Sequence, residues 1–132
     1  MMVTSDFARV SGARLYFEIQ GSGQTVVLLG CDTDSELANQ QFDDLAKFCQ
    51  VIRYDMRGRG KSSPIDELPF SHSQDLLELL DHLSIRTATL AEITPDSSIA
   101  KAFATMFPER VSAIVLMKDL LPITHGSGPS PR

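Results

Sequence analysis

Along residues 13–20 the apolar side chains Leu15, Phe17 and Ile19 recur every second position, the pattern of a strand with one face on a core. A shorter run of the same kind at 6–10 precedes it across Ser11-Gly12, so the chain is expected to open with a hairpin. Gly21-Ser22-Gly23 marks a turn; no helix starts just after it that would suit a phosphate. Residues 25–29, TVVLL, form an unbroken β-branched and apolar run, as in a strand covered on both faces. Between Ser35 and Cys49 the period changes. Ala38, Phe42, Leu45, Ala46 and Cys49 fall at helical spacing and predict an amphipathic helix.

A strand follows at 51–54. A second helix is expected over 71–83, burying Leu76, Leu80 and Leu83 and exposing Gln74, Asp75, Glu78 and Asp81. Then come a strand at 87–91, a helix at 97–107 with Ile99, Phe103, Met106 and Phe107 inward, and a last strand, Ser112–Met117. A hairpin followed by alternating strands and helices predicts an α/β fold, a three-layer sandwich whose mostly parallel sheet begins with an antiparallel hairpin. Residues 1–121 are read as this domain and the Pro/Gly/Ser-rich 122–132 as a disordered tail.

Bulk properties narrow the function classes. The formal net charge of -5 argues against a nucleic-acid surface, which needs clustered Lys and Arg. No apolar run approaches the roughly 18 residues of a membrane span, and the first ten residues lack the basic start and apolar block of a secretory signal. Cys31 and Cys49 make neither a disulfide framework nor a metal quartet and are expected to be apolar filler. A cytoplasmic protein without metal or cofactor is the expectation.

Residues 90–100, LAEITPDSSIA, sit between a strand and a helix, where many enzymes hold a nucleophile. Four segments suggest which enzymes: LYFEIQGSG at 15–23, QVIRYDMRGRGKSS at 50–63, DLLELLDHLSI at 75–85 and FPERVSAIVL at 107–116. In order and wording they resemble the α/β-hydrolase-fold superfamily over roughly residues 8–120. The resemblance implies hydrolysis of ester-like bonds by a serine or aspartate nucleophile, with a cap, further strands and a base histidine beyond the matched region. The fold is therefore expected to be α/β-hydrolase-like and truncated after the sixth strand. Gly60-Lys61-Ser62 also suggests a phosphate-binding P-loop, but the first glycine of that motif would fall on Asp55.

Departures from the family pattern are concentrated at the nucleophile. A Gly-x-Ser-x-Gly elbow is implied, whereas Thr94 occupies the serine position and Glu92 and Asp96 replace the glycines. Pro95 has no backbone N–H, the group that supplies one oxyanion donor in the family. Asp32 lies near the second donor position and would repel an oxyanion. Asp119 stands where some members carry the triad acid. His72, His82 and His125 read as surface histidines rather than a base. Thr94, Pro95 and Asp96 are also favoured residues for an ordinary helix start. Glu92 and Asp96 as an acid–base pair is the weaker reading; both are expected to be solvated.

Three functions stay open on the sequence. The first is a catalytically inactive relative or binding module. The second is an active hydrolase using Thr94 with a base from another chain, and the third an incomplete reading-frame product. Self-association through an exposed edge at Ser112–Met117 is expected, with no nucleic-acid or membrane partner and an unknown small-molecule substrate.

Overall fold

The computed structural model describes residues 2–30, 36–92 and 99–116, the side chains of Leu37 and Leu116 apart. Six strands form one sheet: β1 (Val3–Val10), β2 (Ala13–Gln20), β3 (Thr25–Leu29), β4 (Gln50–Tyr54), β5 (Ala88–Glu92) and β6 (Val111–Leu116). Their order across the sheet is β1-β2-β4-β3-β5-β6. The pairs β1–β2 and β2–β4 are antiparallel, and the remaining pairs are parallel. The helices are α1 (Glu36–Leu45), α2 (His72–His82) and α3 (Ile99–Met106).

Strand alternation divides the core between the two faces. On one, Leu15, Phe17, Val27, Leu29, Ile52 and Leu90 pack with Leu76, Leu79 and Leu80 of α2 and with Ala100 and Phe103 of α3. On the other, Leu28, Val51 and Ala91 meet Phe42 of α1 and Ala46 just beyond it. These are the three layers expected from the pattern; among the described helices α1 covers one face and α2 and α3 the other. Covering on both faces explains why β3 reads as an unbroken apolar run.

Several local expectations are corrected. β1 begins three residues earlier, at Val3, because it pairs with β2 along its whole length, Val3 opposite Gln20. α1 ends at Leu45 rather than Cys49: the N–H groups of Lys47 and Phe48 turn to the carbonyls three residues back, tightening the exit toward β4. Gly21 makes that exit possible. It lies at φ 86°, where a Cβ would stand 2.2 Å from the Cys49 carbonyl oxygen. Met106 is 53% exposed, and Ala100 takes the inward position instead.

The largest correction is Asp75. It is 2% exposed, although its place on the polar side of α2 suggested solvent. Arg57, from the loop after β4, donates from Nε and Nη2 to the two carboxylate oxygens at 3.0 and 2.8 Å. A second bond from Nη2 reaches the Ser11 carbonyl at 2.6 Å, so one guanidinium ties the hairpin turn, the loop and α2 together. Across the sheet, Arg53 donates to Glu18 at 2.7 and 2.8 Å, also out of water.

Candidate functional site

Strand order locates a site before any side chain is considered. The chain leaves β3 for β4 on one side and leaves β5 for β6 on the other. The carboxyl ends of β3 and β5 are therefore a topological switch point, the place where open α/β sheets commonly bind ligands. Leu29 pairs with Glu92 across this boundary, and Gly30 follows at φ 81°.

Glu92 is 6% exposed. Its strand parity places it on the same face as Leu90, toward α2 and α3. Its Oε2 has no hydrogen-bond partner among the described residues. The sequence reading of a solvated carboxylate is thus wrong for Glu92. The missed signal is the alternation Ala88, Leu90, Glu92, whose first two members are core.

The adjoining loop is a rigid brace. The Asp55 carboxylate accepts the Lys61 N–H at 2.9 Å. The Ser62 hydroxyl donates to the Asp55 carbonyl and accepts the Tyr16 N–H. Gly60, at φ 51°, lies where a Cβ would collide with the Asp55 carboxylate at 2.2 Å. The Lys61 ammonium rests 4.5 Å from the centre of the Tyr16 ring. These contacts make a closed turn, so Gly60-Lys61-Ser62 does not cradle a phosphate.

His72, the first residue of α2, is partly buried rather than a plain surface side chain. Burial lowers its pKa, Arg57 and Arg59 push the same way, and Asp75 opposes them. Its ring meets Phe70 edge-on at 5.1 Å. His82 is exposed and edge-on to Phe17. Cys49 is partly buried, and burial raises its thiol pKa. Thr94, Pro95, Asp96, Cys31, Asp32, Asp119 and His125 lie outside the described residues. Among the described residues no group of three or more His, Cys, Asp or Glu could hold a metal ion. No described helix is long and apolar enough to cross a membrane. A cleft of about 420 Å³ lies at the opposite end of the sheet, where Thr25, Gln50, Thr87 and Ser112 line it.

This architecture is shared with solved enzymes. An epoxide hydrolase, CorEH, superposes with a TM-score of 0.73 at 26% identity, covering 87% of this chain and 42% of its own. The enol-lactonase of Burkholderia xenovorans LB400 gives 0.72 at 27% identity, covering 83% and 45%. The chain is an α/β-hydrolase-fold relative. Among curated proteins it is 24% identical to the uncharacterized hydrolase YraK of Bacillus subtilis strain 168, over 96% of this chain and 49% of YraK. It is 34% identical to the dihydrolipoyllysine-residue acetyltransferase component of the acetoin cleaving system of Pseudomonas putida, over 83% of this chain and 31% of that protein. The chain therefore spans about half or less of the relatives it matches. No family model matches it.

In α/β-hydrolase-fold enzymes the residue two before the nucleophile is small, because strand and helix approach closely there. The register implied by the sequence resemblance assigns that place to Glu92, which is buried.

Proposed function

We propose that this chain is a catalytically silent α/β-hydrolase-fold relative whose remaining role is binding. The observation that carries the reading is Pro95, which has no amide hydrogen to offer an oxyanion. Glu92 supports it, since a buried carboxylate two residues before Thr94 adds negative charge where negative charge would develop. A fluorophosphonate probe followed by intact-protein mass measurement is expected to leave the chain unmodified. An adduct mapped to Thr94 would overturn the reading, whichever chain supplied the base.

The same reading extends to assembly. β6 has no strand on its far side among the described residues, and Ile114 on it is 44% exposed. An uncovered strand edge presents unpaired N–H and C=O groups that another chain can pair with. Of the expected edge, Met117 lies outside the described residues. A second copy is the proposed partner. Sedimentation velocity is expected to show dimer or larger species at about 50 µM, a concentration suited to micromolar affinity, and Ile114→Lys is expected to shift them to monomer. A parent chain that sediments only as a monomer removes this part of the proposal.

A further inference from the structure

We infer that the cleft at the amino ends of β3, β4 and β5 binds a small phosphorylated molecule that also carries hydroxyl groups. This goes beyond catalytic silence and does not rest on it, since no residue of the turn after β5 lines this cleft. The cavity of about 420 Å³ is at the small end of the range, about 300–1,000 Å³, that holds small ligands. Its walls are largely polar. Thr25, Ser84, Thr87 and Thr89 bring hydroxyls, Gln50 an amide and Arg86 a guanidinium, and among the described residues no Asp or Glu lines it.

Hydrogen bonds within the wall decide the sign of the ligand. Its acceptors are already engaged. The Ile85 and Arg86 carbonyls accept from the Arg110 guanidinium at 2.8 and 2.6 Å. The Gln24 carbonyl accepts the Gln50 N–H at 2.8 Å, and Gln50 Oε1 accepts the Thr25 hydroxyl at 3.1 Å. The donors are left over. Gln50 Nε2 and the Arg86 guanidinium have no ion-pair or hydrogen-bond partner among the described residues. Because Arg110 holds two successive carbonyls, the wall that carries Arg86 is set in place before any ligand arrives, which lowers the cost of binding. Ser84 is a separate sign. It lies at φ 59°, the one described residue other than glycine at positive φ, where glycine is favoured just past a helix. Serine there accepts backbone strain and lines the cleft with a hydroxyl. A phosphate monoester meets this wall with three acceptor oxygens, which suit the forked donors of a guanidinium and a neighbouring amide. Hydroxyls on the rest of the molecule exchange hydrogen bonds with the threonines.

The test titrates glycerol phosphate into nitrogen-labelled protein, beside glycerol and inorganic phosphate at matched ionic strength. The Arg86 side-chain N–H and the Thr87 amide resonances are expected to move saturably with glycerol phosphate, with weaker affinity for inorganic phosphate and no saturable movement with glycerol. Arg86→Gln, at an exposed position, is expected to weaken binding at least about tenfold, the range of a bond to a charged group. Gln50→Glu keeps an acceptor for Thr25 while replacing the free donor with negative charge, and is expected to abolish binding. Absence of saturable movement with glycerol phosphate, equal affinity for inorganic phosphate, or unchanged affinity in Arg86→Gln would each overturn the inference. If Gln50→Glu does not fold, Arg86→Gln decides alone. A chain that binds no glycerol phosphate and also fails to react with fluorophosphonate would sink the phosphate site and leave catalytic silence intact.

Discussion

Arg57→Ala is expected to destabilise the fold by about 3–5 kcal/mol, the cost of leaving one partner of a buried ion pair alone. Both side chains of the Arg57–Asp75 pair are 3% exposed, so the substitution leaves the Asp75 carboxylate buried without its guanidinium. The Ser11 carbonyl would lose its donor as well. Against a typical total of about 5–15 kcal/mol, such a loss brings the domain close to unfolding at room temperature. The contrast is Lys47, whose ammonium stands 3.7 Å from Asp44 with both side chains more than half exposed. Lys47→Ala is expected to cost under about 1 kcal/mol. Urea denaturation of the two variants checks the difference: equal midpoints would show that the clamp contributes nothing beyond a surface contact. The double replacement Arg57→Met with Asp75→Leu is expected to recover much of the loss, because packed apolar side chains avoid the desolvation cost.

How much of this was legible in the chain depends on whether the deciding partner is local. β2 and β3 were readable to the residue, since alternation and an unbroken apolar run belong to the strands themselves. The sheet and its layers followed from element order. Asp75 was misread because helical periodicity sees only its own helix, while its partner arrives from a loop 18 residues earlier. Met106 fits the inward stripe of α3 on spacing, yet it is 53% exposed. Ala100 and Phe103 are the buried residues of that helix instead. Glu92 was misread for the opposite reason. Its charge outweighed the strand parity it shares with Leu90, although parity sets direction within a strand.

The site was half legible. Sequence resemblance pointed to the turn after β5, and strand order independently makes the carboxyl ends of β3 and β5 the sheet's switch point. What sequence could not supply was the burial of Glu92 at that turn. A family pattern predicts a small residue and has no category for an acidic one.

Hydrolysis carries the second large expected effect. In enzymes that stabilise an oxyanion, removing one donor costs about 10²–10³ in kcat, or about 3–4 kcal/mol. On the proposed reading, Pro95 makes that loss part of the sequence rather than an imposed mutation. The same reading gives Thr94 no base, a second deficit, since hydroxyl nucleophiles depend on an adjacent base. The deficits act on one step and need not add, but either alone is large. Restoring an amide with Pro95→Ala is accordingly expected to leave the chain inactive, because it supplies a donor without a base.

The most direct measurement is turnover of a short-chain chromogenic ester by purified protein, run beside Thr94→Ala at equal concentration. Identical rates, both at the level of buffer, are the predicted result. Release of chromophore by the parent chain that disappears in Thr94→Ala would contradict the account at its centre, since it would place a working nucleophile beside a residue with no N–H to give.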